Sequence, residues 1–153
     1  MTTSTLAILT IAFPWVGAML IWLVGDKYNK VITTLAVAFA ALAGVSALAL
    51  IPTAGDQAVF SYSFGAPYGI FTFVPDGLGV MLASIATVIG CLAVIFSIDY
   101  MKGEDQLARY YAFILFFIGG MVGLVLTGNM FCMFLFWEIT ALCSYALISF
   151  HND

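Results

Sequence analysis

Five long apolar runs divide this sequence, at roughly residues 6–24, 31–51, 77–98, 110–127 and 130–150, and four of them contain no charged side chain. A helix needs about 20 apolar residues to cross a hydrocarbon core of ~30 Å. In that medium only helices and closed barrels satisfy their own backbone polar groups. Barrel strands would alternate apolar and polar residues over about 10 positions, whereas these runs are continuous. Charged residues make up 8% of the chain and hydrophobic ones 64%, against about 25% and 45–50% in soluble domains. The expected fold is therefore an all-α polytopic membrane protein with about five transmembrane helices, built as a single membrane domain over residues 1–153.

The breaks between runs carry the charge. "GDKYNK" (25–30) separates the first two runs, and "DYMKGEDQLAR" (99–109) separates the third from the fourth. "GN" (128–129) marks a tight turn before the fifth. The first run has no basic residue before it and spans a membrane by length, so it reads as a retained helix rather than a cleaved signal peptide.

Between the second and third runs, Val59, Tyr62 and Phe64, then Ile70, Phe71 and Phe73, flank Gly65-Ala66-Pro67. Two short strands around a turn fit that pattern; an irregular aromatic loop at the headgroup level is the alternative. Lys27, Lys30, Lys102 and Arg109 are the only basic residues besides His151, and all four fall in the 25–30 and 99–109 loops. Excess Lys and Arg mark cytoplasmic loops. The expected orientation has the N-terminus and the 51–77 segment outside and the C-terminus in the cytoplasm of an inner or plasma membrane. Four dispersed basic residues form no surface for nucleic acid.

Packing accounts for the remaining local features. Pro14 is expected to kink the first helix. Gly119, Gly120 and Gly123 give the fourth a small-residue face for close helix approach. Cys91, Cys132 and Cys143 lie in apolar runs and behave as small hydrophobes. Cys132 and Cys143 are separated by about 16 Å along a helix, too far for a disulfide. No Gly-rich phosphate loop, paired cysteine site or pair of intramembrane histidines is present, so neither a catalytic residue, a metal nor a cofactor is assigned to this chain.

Glu138 is the exception to the apolar rule. It stands near the centre of "MFCMFLFWEITALCSYALISF" (130–150), about 12 Å below the start of its helix. An acid at such depth costs on the order of 3 kcal/mol on insertion scales. Desolvation favours its neutral form, and a nearby cation restores the charged one. A carboxyl whose proton affinity changes with a movable partner is a proton relay. A neutral Glu hydrogen-bonded to a neighbouring helix is the structural alternative. On a helix Phe134, Ala141, Leu142 and Tyr145 share its face, with Tyr145 as a possible accessory polar group two turns away. No Lys, Arg or His lies inside the five runs, so a cationic partner must come from elsewhere. Asp76 in "VPDGLGVM" is expected to cap the third helix. His151, just past the fifth, is either an interfacial residue or an accessory group for proton uptake.

Two stretches carry a resemblance. "PDGLGVMLASIATVIGCLAVIFSIDYM" (75–101) and "RYYAFILFFIGGMVGLVLTGNMFCMFLFWEITALCSYALISF" (109–150) resemble the antiporter-like, proton-conducting membrane subunits. These occur in complex I, in Mrp-type Na⁺/H⁺ antiporters and in membrane-bound hydrogenases. The most specific parts are Asp76-Gly77-Leu78, Arg109-Tyr110-Tyr111, and Asn129 through Trp137-Glu138. The resemblance implies that Glu138 is the family's essential fifth-helix acid. It implies an outer β-hairpin before the third helix, and a lysine on a later, broken helix as partner of the glutamate. By length the chain is expected to be the N-terminal third of such a subunit, whole only with other membrane subunits supplying the remaining helices and the lysine. The transported ions would be protons, with or without Na⁺, and redox chemistry would belong to other subunits. A non-conducting assembly subunit of the same kind of complex is the alternative.

Overall fold

The computed structural model describes residues 2–55, 60–63, 65 and 69–151. Five helices long and apolar enough to cross a membrane occur among them. They are α1 (Thr3–Val24), α2 (Asn29–Leu50), α3 (Gly77–Tyr100), α4 (Leu107–Leu126) and α5 (Met130–Ile148). Two strands, β1 (Phe60–Ser63) and β2 (Ile70–Phe73), lie between α2 and α3. The chain is a membrane protein, as its apolar runs required, and the 51–77 segment forms a small antiparallel sheet rather than an irregular loop.

Each boundary has a local cause. The Thr2 hydroxyl accepts from Thr5 N–H at the start of α1, and Gly25 ends that helix with φ 60°, a conformation that costs a glycine least. Helices α3 and α4 each reach two or three residues into the polar loop expected at 99–109, because a helix continues past the hydrocarbon until its backbone groups find other partners. Pro14 is buried inside α1, which runs through it unbroken. Inside the spans Thr10, Ser46, Ser84, Thr87 and Ser97 each donate a hydroxyl to the carbonyl four residues earlier. No buried side-chain nitrogen or oxygen among the described residues lacks a partner.

Helix α4 is the hub, packing against α1, α2, α3 and α5. Small residues mark the packed faces. In α2 they are Ala36, Ala40, Ala43, Gly44 and Ala47, all buried. In α4 a Cβ added to Gly119 would collide with the Trp15 ring, and one on Gly123 with the Phe136 ring. The glycines thus serve two different neighbours, α1 and α5. The core has two centres. One gathers Ile21, Ile32, Met101, Leu107, Tyr111 and Leu115 near the basic loops. The other gathers Leu50, Phe73, Leu126 and Phe136 under the hairpin.

The hairpin pairs Phe60 with Phe73 and Ser63 with Ile70. Gly65 and Gly69, both at φ 76°, turn the connection, and Gly69 N–H reaches the Gly65 carbonyl at 3.1 Å. Val59, Phe64, Ala66 and Pro67 lie outside the described residues. The sheet is tied to the α4–α5 turn. Gly128 N–H donates to the Thr72 carbonyl at 2.8 Å, and Val74 N–H to the Leu126 carbonyl at 2.7 Å.

Candidate functional site

The start of α5 is fixed from two sides by one residue. Asn129 Oδ1 accepts from Phe131 N–H at 2.8 Å and from Cys132 N–H at 3.4 Å, satisfying two amides that a helix leaves open. Its Nδ2 donates to the Ile70 carbonyl at 2.6 Å. The hairpin therefore sets where α5 begins and how it is turned.

From that anchor α5 packs one narrow face on α4. Cys132, Phe136, Thr140 and Cys143 are its buried residues, spaced four, four and three apart as a single helical face requires. Glu138 is two residues past Phe136, about 200° around the axis. It is exposed and faces away from the bundle. Phe134, Leu142 and Tyr145 stand on the same outer face, with Tyr145 72% exposed. The carboxyl lies about 12 Å from the Met130 end and 15 Å from the Ile148 end, so it is near mid-span. The chain's Lys and Arg residues lie at helix ends or in loops. The acid is thus presented outward, at membrane depth, amid apolar side chains.

The other sequence candidates are not gathered around it. Asp76 is at the end of the bundle, where Oδ1 accepts Gly79 N–H at 2.7 Å as the N-cap of α3. Tyr145 is seven residues from Glu138, about 10 Å along the axis. The side chain of His151 lies outside the described residues. Trp15 of α1, Phe71 of β2, and Phe131, Leu135, Phe136 and Ile139 of α5 line an apolar groove of about 420 Å³. Among the described residues no three His, Cys, Asp or Glu side chains meet as a metal site.

Sequence reasoning missed two organising residues. Asp26 Oδ1 accepts Ala108 N–H at 2.8 Å, capping α4 from 82 positions away. Helix α4 needs that help because Gln106, its N-cap, is held at φ 61° and makes no side-chain cap bond. Trp15 packs on Phe116 and Phe136 and donates its indole N–H to the Phe116 carbonyl at 3.4 Å.

Comparison with known proteins adds to this geometry. Residues 70–111 match the family described as NADH-ubiquinone oxidoreductase (complex I), chain 5 N-terminus. The Na⁺/H⁺ antiporter subunit A1 of Staphylococcus saprophyticus is 37% identical over 98 residues, 64% of this chain and 12% of that protein. Its counterpart in Staphylococcus haemolyticus is 40% identical over 83 residues, 54% of this chain and 10% of that protein. Over part of its length the chain is thus similar to Na⁺/H⁺ antiporter subunits A1. The chain spans about a tenth of the length of the curated relatives it matches. Its fold matches a chain of the membrane-bound sulfane sulfur reductase, an archaeal respiratory membrane complex, with a TM-score of 0.76. That match covers 94% of this chain and 23% of the other, at 22% identity. The stretch matched by the family model, from β2 into α4, ends before Glu138.

Proposed function

We propose that this chain is part of a proton-translocating, antiporter-like subunit in which Glu138 exchanges the proton. The observation that carries this reading is the outward position of Glu138 at mid-span. A carboxyl held against lipid costs on the order of 3 kcal/mol. A second protein surface covering that face relieves the cost and sets the proton affinity. A lysine on that surface, supplied by other membrane subunits or by further helices, holds Glu138 ionised when near and lets it take up a proton when it moves away. Tyr145, on the same face, and His151, at the helix end, are accessory positions for proton passage toward the C-terminal side.

The antiporter subunits to which the chain is similar support exchange of protons for Na⁺, and the complex I family match supports coupling to a redox partner. Either way the electron chemistry belongs to other subunits. The positions of Lys27, Lys30, Lys102 and Arg109 support a cytoplasmic C-terminus, with the N-terminus and hairpin outside.

The test is Glu138→Gln in the assembled membrane complex. Cation/proton exchange is expected to fall to background while the complex stays assembled. Retained exchange would overturn the proposal and leave Glu138 a structural acid. Infrared difference spectra should carry a carboxyl band that vanishes in the variant.

A further inference from the structure

A second feature lies at the opposite end of the bundle from the hairpin. The first turn of α2, the last turn of α3 and the start of α4 enclose an open pocket of about 470 Å³. Its rim carries Lys30, Lys102 and Asn29, with Asp99 as the single acid. The formal charge of this lining is +2 − 1 = +1, in a chain whose net charge is −4. The α2 N-terminus opens here, and no side chain caps it. Its free amides and the positive end of the helix dipole add to the two ammonium groups.

The floor is of different character. Tyr111 and Met101 are 1% and 2% exposed beneath the rim, and Ile98 and Leu107 form apolar walls. From Ile98 the exposed side chains of Ile95 and Leu92 continue along α3 into the span. A cationic rim at the membrane surface therefore leads directly into an apolar lane.

We infer that this pocket binds one anionic phospholipid, its phosphate between Lys30 and Lys102 and an acyl chain along Ile98, Ile95 and Leu92. Charge complementarity selects the headgroup. The apolar lane selects a lipid over free phosphate, because an inorganic ion makes no use of it. The hydroxyls of Thr33 and Thr34 already donate to the Asn29 and Lys30 carbonyls. The ammonium groups, the Asn29 amide and the helix amides are therefore the donors left for phosphate oxygens.

Native mass spectrometry of the full chain in a neutral detergent tests this, with phosphatidylglycerol, phosphatidylcholine or inorganic phosphate added at equal concentration. One phosphatidylglycerol per chain is expected to be retained in preference to phosphatidylcholine. Lys30→Gln and Lys102→Gln should each weaken retention about fivefold, the worth of one basic residue near an anionic group. Asp99→Asn acts in the opposite direction and should strengthen it, which separates loss of the site from loss of folding. Lys27→Gln is the control, since Lys27 lies over the Tyr28 ring outside the pocket. Equal retention of the two lipids would overturn the inference. So would competition by inorganic phosphate at the lipid's own concentration, a loss in Lys27→Gln as large as in Lys30→Gln, or unchanged retention in Asp99→Asn.

Discussion

Asn129 shows how one side chain can decide the placement of another nine residues away. Its carbonyl oxygen caps α5 and its amide nitrogen holds the hairpin, so the turn of the helix that aims Glu138 outward is set at both atoms. Asn129→Ala should lower stability by about 1–2 kcal/mol, the cost of a lost N-cap. Asn129→Asp keeps the acceptor and adds charge at the favourable end of the helix dipole, but has no donor for the Ile70 carbonyl. In detergent unfolding, the Ala variant is expected to lose stability and the Asp variant to stay near the parent. Hydrogen exchange in β2 should rise in both. Equal unfolding midpoints for parent and Ala variant would show that the cap contributes nothing. Glu138 itself was legible in the sequence as a lone acid in an apolar run. Its outward direction was not, because that depends on which side of α5 meets α4.

Helices that are apolar on every side hide their packing direction. A water-soluble helix separates polar from apolar faces, but in a membrane the lipid-facing side is as greasy as the core. The five spans were therefore readable, with ends displaced by at most three residues, while their neighbours were not. The usable signal was residue size: the alanines of α2 and the glycines of α4 mark the contacts. The Asp26 cap on α4 had no local signature, since the two ends are far apart in the chain. The hairpin was visible from its alternation, and its bolt to the α4–α5 turn was not. The size argument makes a prediction for the element that carries the acid. Gly123→Val would drive side-chain atoms into Phe136, whose ring already leaves no room for a Cβ. Overpacking costs about 1–3 kcal/mol, far more than the few tenths that Val gains over Gly in helix propensity. The variant should melt earlier, and Phe136→Ala in the same chain should return part of the loss. Additive losses in the double variant would mean that the two positions do not meet.

Across the whole molecule, the basic residues and the sheet are separated by the length of the bundle. The turn after α1, the start of α2, the α3–α4 loop and the start of α4 hold Lys27, Lys30, Lys102 and Arg109, and the Asp26–Ala108 bond draws two of these segments together. The sheet, the Asp76 cap and the Asn129 anchor occupy the other end. Moving the hairpin end to the cytoplasm would carry all four basic side chains across the membrane against the bias that normally retains them. Single cysteines can report the outcome, because Cys132 and Cys143 are buried and Cys91 lies within the α3 span. Ser63→Cys in β1 and Asp105→Cys in the α3–α4 loop are both exposed positions, and neither removes a basic residue. A membrane-impermeant maleimide added to intact cells should label Ser63→Cys and leave Asp105→Cys unlabelled until the cells are opened. The reverse pattern would invert the orientation, and with it the direction of the proton exchange proposed for Glu138. Labelling of both in intact cells would mean that the chain inserts in two directions, and that four basic residues are too few to orient it.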